Sequence, residues 1–469
     1  MPRTVCVLIV AVLVLAAVAC TSSGEPAATR TPASPGAMTP TVVPRFTPPV
    51  GAATFAPTFD EADLPQLAWT KLSGPPMTAG NYSTPYIVDI ETGDIYSIVG
   101  PDWDGVDDAT QIVRTVSIDG WSETRGLVVT LTMSYAGTDK GAVTRSYAAQ
   151  VGRPFQALPK LSTNGWIGTL RVEAGGLASV EFDTTGPQWK APSMRTVILD
   201  PLTFARGQVL DRTLSSFSPD GRFLAAANEE DQTVDVFEKT AAGYRAIPGM
   251  TGISGDLAGW SHGTLVAINQ RSAGIGRTRL MLFDATTGDG RELGDAGSAM
   301  WSRDDRNLAA TLVPINPEDS PGFVIYDVAT GTPRLRVTGS WPLGWTADGS
   351  FAFTGNVCDT FDVFTVAPDG SNLRRLVTGG AEHPWGHYLS PDGRTLLYAD
   401  YYGPSTSMKV MDLASGTTQS FEIGTLSILI GVQWLDDGRY VKLNGPVGKD
   451  GPCYGIGGGP HAVEVTPLP

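Results

Sequence analysis

Along most of the chain, short apolar runs alternate with polar turns on a nearly constant beat. The clearest unit is Phe217-Ser218-Pro219-Asp220-Gly221-Arg222-Phe223-Leu224, which returns almost verbatim as Leu389-Ser390-Pro391-Asp392-Gly393-Arg394-Thr395-Leu396. Weaker copies stand at Trp260-Ser261-His262-Gly263, Trp301-Ser302-Arg303-Asp304-Asp305-Arg306, Trp345-Thr346-Ala347-Asp348-Gly349 and Trp434-Leu435-Asp436-Asp437-Gly438-Arg439. Anchored on the glycine position they fall at 221, 263, 305, 349, 393 and 438, in steps of 42, 42, 44, 44 and 45. A period in that range marks a repeat architecture.

Each unit is expected to hold two hairpins. Proline sets φ for entry into a turn, and Asp-Gly is expected to supply two positive-φ residues to a tight connection between antiparallel strands. An apolar run follows, with Leu224, Leu308, Leu396 and Val441 each three places after the anchor. A second pattern, a strand ending in Asp and a turn closing on Gly, recurs at Leu282-Phe283-Asp284 to Gly288, Ile325-Tyr326-Asp327 to Gly331 and Val410-Met411-Asp412 to Gly416. Two hairpins give a four-stranded antiparallel sheet, a propeller blade. Degenerate anchors at Gly126, after Trp121, and at Gly176 bring the total to eight. The expected fold is therefore all-β, a single β-propeller of eight four-stranded blades, with seven as the alternative if one degenerate unit elaborates its neighbour.

The Trp-Ser-Pro-Asp-Gly-Arg pattern, paired with the Asp-x-x-Thr-Gly turn, resembles the TolB-type repeats of bacterial β-propellers, a WD40-like group. It is less similar to eukaryotic WD40 repeats, because no Gly-His and Trp-Asp pair marks the units. The resemblance covers about residues 210 to 445 and implies architecture, since propellers host many unrelated activities. TolB carries an additional N-terminal α/β domain, and residues 21–60 are too short and too polar to be one.

The run Tyr86-Ile87-Val88-Asp89 to Gly93, then Ile95 to Val99, matches the second half of a blade with no first half before it. Such an orphan pair is expected if the N-terminal strands complete the last blade, whose own strands are placed at about Val432 to Val465. Closure of that kind removes exposed sheet edges. Phe217, Trp301, Trp345 and Trp434 lie four places before their anchors, with Trp121 and Trp260 within one residue of that place. Their periodicity favours sealing of the seams between blades over a stacking platform for sugars.

The first twenty residues change the picture from fold to location. Arg3 precedes an apolar stretch from Val5 to Val18, shorter than a spanning helix needs, and Ala19 precedes Cys20. The segment resembles a bacterial lipoprotein signal with Cys20 as the lipidated residue, although Ala17 stands where Leu is usual. An uncleaved anchor is the alternative, and either places the rest outside the cytoplasm. Residues 21–60, rich in Ser, Thr, Pro and Ala, are expected to be a disordered tether, and 61–469 the propeller. A net charge of -15 disfavours nucleic acid and anionic lipid headgroups as partners. Beyond the signal the cysteines are Cys358 and Cys453, expected to form one disulfide in an oxidising compartment and to fold a flap over one mouth of the channel.

No G-x-S-x-G nucleophile elbow is recognised, since those letters occur only at Gly259-Trp260-Ser261-His262-Gly263, inside one of the repeat units, and there is no H-E-x-x-H, no G-x-x-x-x-G-K-[ST] and no G-x-G-x-x-G in a βαβ setting. Two clusters remain. Asp102, Asp104, Asp107 and Asp108 could offer oxygens to Ca²⁺, yet lack the full loop with its bidentate Glu, and a solvated acidic turn is the plainer reading. Glu382, His383 and His387 could bind a transition metal or move a proton, but Pro384 interrupts their helical spacing. No cofactor other than that Ca²⁺ is expected. The function these features support is a lipid-anchored propeller binding a protein or glycan at the cell envelope, against a propeller enzyme such as a metal-assisted polysaccharide lyase or hydrolase at the channel mouth.

Overall fold

The structure is a computed structural model that describes residues 59–73, 85–100, 105–107, 112–135, 138–160, 166–183, 194–228, 230–271, 278–312, 320–357, 360–381, 386–400, 406–424, 432–435, 439–443 and 463–468. The chain separates into two units, Met1–Phe55 and Ala56–Pro469, and the first lies wholly outside the described residues.

The second unit contains eight antiparallel sheets with no α-helix among its described residues, so eight blades stand and the seven-blade alternative does not. Blade 1 uses Ile112–Ser122, Gly126–Tyr135, Thr138–Ala149 and Gln156–Ala157; blade 2 uses Trp166–Glu173, Gly176–Asp183, Met194–Leu199 and Arg206–Leu210. Blade 3 follows with Thr213–Phe217, Phe223–Asn228, Thr233–Thr240 and Gly243–Ala246. Blades 4 to 7 open on Asp256–Trp260, Ala299–Trp301, Ser340–Trp345 and His387–Leu389. First strands of neighbouring blades touch one another, which sets them on the inside of the ring.

The central strands of the blades bury both faces, and that explains their near-continuous apolar runs. Successive side chains of a strand point to opposite sides. Phe223 and Ala225 therefore pack with Trp260 and Val266 of blade 4, whereas Leu224 and Ala226 pack with Ala178 and Val180 of blade 2. Every one of the eight seams has its own apolar cluster, and those joining blade 8 to its neighbours close the ring. Blade 8 is composite as expected: Val432–Trp434 and Tyr440–Leu443 come from late in the chain, and Tyr86–Asp89 and Asp94–Ser97 from its start. Arg439 clamps this junction by donating to Asp89 from Nε (3.1 Å) and Nη2 (2.6 Å).

Two expectations need correction. Asp-Gly does not contribute two positive-φ residues. Gly221, Gly349 and Gly393 have φ of 67°, 84° and 67°, and the preceding aspartates are absent from the positive-φ set. The aspartate acts through its side chain instead. Asp392 Oδ1 accepts from Ser390 Oγ (2.6 Å) and Arg394 N (3.0 Å), while Ser390 Oγ accepts from Thr395 N (2.9 Å). The same clamp recurs at Ser218 with Asp220, Ser302 with Asp304 and Thr346 with Asp348. Its recurrence explains why Ser or Thr precedes Asp by two in unit after unit.

The second correction concerns Glu464–Pro467. Expected in the last blade, this strand instead pairs antiparallel with Pro333–Thr338, as a fifth strand on the outer edge of blade 5. Val463 and Val465 pack into the apolar seam between blades 5 and 6. Their burial there outweighs continuation in blade 8, where Tyr86–Asp89 already pairs with Tyr440–Leu443. At the other end Thr70–Lys71 adds a fifth strand to blade 8 beside Asp94–Ser97.

Candidate functional site

The repeated aromatics seal seams. Trp121 stacks on Tyr440 of blade 8 (4.9 Å between centroids), and Trp260 stacks on Phe223 of blade 3 (6.1 Å). Trp345 donates from Nε1 to the Met300 carbonyl of blade 5 at 2.9 Å. A platform for ligands would leave such rings open on one face, and these are packed.

The symmetry breaks at blade 2. In blade 3 six residues, 218 to 223, separate the paired Phe217 and Leu224, whereas only Ala174 and Gly175 separate Glu173 from Gly176. The turn lacks the Ser-Pro-Asp-Gly clamp, as does the turn Ser122 to Gly126 of blade 1, and a hollow of about 650 Å³ lies beside both. Trp121, Leu177, Phe217 and Tyr244 supply apolar wall; Glu123, Glu173, Asp200, Arg206 and Lys239 supply charge. A volume of this size, apolar with a few placed polar groups, is typical of ligand sites.

Most of the polar groups are fixed by the framework. Glu173 Oε2 accepts from Ser216 Oγ and Phe217 N, both at 2.8 Å, tying blade 2 to blade 3. Arg206 and Arg195 converge on Glu181, a carboxylate with 0% exposure in the sheet below. Tyr244 donates its hydroxyl to the Gly221 carbonyl (2.6 Å), and burial pushes its pKa up to about 12. Asp200 Oδ1 accepts from Leu202 N, Thr203 N and Thr203 Oγ1 within its own turn, and these bonds, Thr203 N first, hold its carboxyl below the usual range.

A second departure from symmetry is Asp119. Blades 1, 3, 4 and 6 share a bulge in the first strand, at Asp119, Ser215, Ala258 and Leu343. Bulges re-aim a side chain, and only in blade 1 is that side chain acidic. Asp119 accepts from Thr130 Oγ1 (2.6 Å) and Ser117 Oγ (3.0 Å), and Thr130 shares a bond with Ser146 (2.7 Å). Desolvation pushes its pKa up to about 7 despite those hydroxyls and the charges of Lys442 and Arg171. Lys442 is lowered, chiefly by its own desolvation.

The sequence-derived candidates are not brought together by the described residues. Cys20, Cys358, Cys453, Asp102, Asp104, Asp108, Glu382 and His383 lie outside them. Asp107 ends a short strand, Gly105–Asp107, paired at Ile112. His387 opens the first strand of blade 7, 3% exposed and stacked on Tyr398 at 6.2 Å, a position inside a seam. Neither the blade 2 hollow nor Asp119 was anticipated. The signals were in plain view: a missing clamp before Gly176, and an aspartate two places before Trp121 where blades 3, 4 and 6 carry Ser, Ala and Leu.

No family model matches the chain, and no curated protein matches it. Solved structures similar to it include a putative TolB from Agrobacterium tumefaciens, 16% identical over 56% of this chain and 94% of that one, with a TM-score of 0.32. TolB from Acinetobacter baumannii is 14% identical over 66% and 80%, with a TM-score of 0.31. An uncharacterized protein from Listeria monocytogenes EGD-e is 11% identical over 68% and 97%, with a TM-score of 0.40. The eight-bladed architecture rests on the sheets and seams described above, independently of these likenesses.

Proposed function

We propose that the protein is an extracytoplasmic β-propeller, lipid-anchored through Cys20, that binds a partner or ligand at the cell envelope through the hollow at blade 2. The observation that carries this reading is the hollow itself, which lies beside the two shortened turns, of blades 1 and 2, that lack the Ser-x-Asp clamp. Its walls are held rigid by bonds between blades, and preorganised walls lower the entropic cost of binding. The signal-like first twenty residues and the polar stretch behind them support the location.

The test uses the tagged full-length protein in detergent-solubilised membranes. Ala174→Trp should plug the hollow and abolish capture of the partner seen with the parent, while thermal melting stays unchanged. Cys20→Ser should give an unprocessed precursor without lipid label. Capture unaffected by the plug would reject the hollow, and unchanged labelling would reject the anchor.

An enzymatic reading has one observation in its favour. Asp119 is a desolvated carboxyl poised near neutrality on an inner strand, a state suited to general acid-base work. If envelope glycans are cleaved by the purified protein, Asp119→Asn should remove that activity without unfolding the ring.

A further inference from the structure

Two charged residues break the repeat at one place on the inner wall of the ring. In blades 1 and 3 to 7 the first-strand residues Trp121, Phe217, Trp260, Trp301, Trp345 and Leu389 each pair with a second-strand residue, and the next residue along is Val128, Ala225, Ala267, Ala309, Ala352 or Leu397. In blade 8, where Trp434 pairs with Val441, it is Lys442. Tyr440 lies two places earlier on the same face and stacks on Trp121. Lys442 therefore faces the first strand of blade 1, which carries the other exception, Asp119. On the opposite side Gly120 lies so close to blade 2 that a Cβ there would fall 2.9 Å from Val172, the residue after Arg171. Lys442 and Arg171 are the charges that act on Asp119, and both are positive. Neither side chain makes a hydrogen bond or ion pair among the described residues. The other groups at Asp119, the hydroxyls of Ser117 and Thr130, are uncharged. Arg171 and Gln433, the inner-strand partner of Lys442, are exposed and Asp119 is partly so, which leaves the cluster open to solvent from the axis. With Asp119 ionised it keeps one excess positive charge, and with Asp119 protonated it has two.

We propose that this cluster, none of whose three charged residues lines the hollow at blade 2, binds the carboxylate of a small organic acid: Lys442 and Arg171 take its charge, and the Asp119 carboxyl hydrogen-bonds to it. A partly desolvated ammonium without a counter-ion of its own gains from any anion. A guanidinium matches the two oxygens of a carboxylate, and two carboxyls side by side share one proton, because both cannot ionise together. A halide meets only the first of these conditions. Binding is therefore coupled to a proton. A bound carboxylate holds the Asp119 proton more tightly, so by linkage affinity is full below about pH 7 and falls by up to about tenfold per pH unit above it. Free acids and uronic sugars present the same group, and the test separates them.

Saturation-transfer NMR of the full-length protein in neutral detergent, titrated with acetate and with glucuronate and, as uncharged controls, with acetamide and glucose, tests this. One or both carboxylates should bind, each about tenfold or more tighter than its uncharged counterpart, the usual scale of lost charge-assisted hydrogen bonds. Binding of acetate identifies a free acid, and binding of glucuronate alone a uronic sugar. Between about pH 6 and about pH 8 affinity should fall about tenfold or more. Lys442→Met should weaken binding about tenfold, and since Met fills the place of the Lys stem, a melting curve matching the parent separates lost recognition from lost fold. Asp119→Asn should keep binding and remove its pH dependence. If either variant fails to fold, the pH profile of the parent decides. Equal binding of acid and uncharged control, no binding of any of the four, or an affinity that is flat between those pH values in the parent would overturn the site, as would full affinity in Lys442→Met.

Discussion

At the scale of single residues, Gly393 shows how a turn glycine can be required twice over. Its φ is 67°, and a Cβ there would fall 2.4 Å from the Trp345 carbonyl of the neighbouring blade. Gly393→Val should cost about 1 to 3 kcal/mol from the backbone alone, with the contact adding more. Chemical denaturation would measure it, and a parent-like midpoint would sink the turn assignment. Asp119 makes the opposite kind of prediction. Its folded pKa lies above the value of an unfolded aspartate, so its contribution to stability is complete below about pH 4 and is lost as pH rises toward about 7. Asp119→Asn should flatten the stability profile across that window. A profile with the same slope as the parent would mean the carboxyl is well solvated.

At the scale of elements, the anchors were legible because the Ser-x-Asp clamp and its glycine depend on local chemistry alone. Phe217 to Leu224 builds its own hairpin. The aromatic seams were legible for a related reason, since a position that packs identically in every unit keeps its residue type. The fate of Glu464–Pro467 was not legible. A strand four residues long carries no mark of which edge it will join, and the choice depends on an apolar slot beside Gly355 and Phe364 that only the assembled ring creates. The hollow at blade 2 was missed because a missing clamp shows only by comparison with the units that keep it. Deleting residues 463–469 should bare the slot and the edge of Pro333–Thr338. Two half-buried valines and a short ladder are worth on the order of 2 kcal/mol, and the new edge invites association. Melting combined with light scattering would show both, and an unchanged midpoint would mean the strand is ornamental.

At the scale of the whole molecule, the strap formed by this last strand bears on the proposed disulfide. Val463 packs on Gly355, three residues before Cys358, and Cys453 stands ten residues before Val463. Ten residues extend to roughly 35 Å, so a bridge between the cysteines is within reach of the strap. Such a bridge would close a loop of about 95 residues and stabilise the fold by roughly 2 to 4 kcal/mol. Mass analysis of the thiol-blocked, non-reduced protein should find one cross-linked peptide. Two alkylated cysteines would reject the bridge.

The composite blade has a consequence in time. A chain synthesised amino end first delivers Tyr86–Asp89 and Asp94–Ser97 long before the strands they pair with, since Asp89 and its clamp Arg439 are 350 residues apart. Throughout that interval the early hairpin has no neighbour on the side toward Tyr440, and neither adjoining seam can be completed. The four-stranded core of every other blade can form as soon as its own stretch has emerged, blade 5 gaining its outer strand Glu464–Pro467 last. The ring is therefore an arc that stays unlocked until nearly the last residue arrives, and any truncation before Leu443 should yield a product that is degraded or aggregated rather than a smaller working propeller.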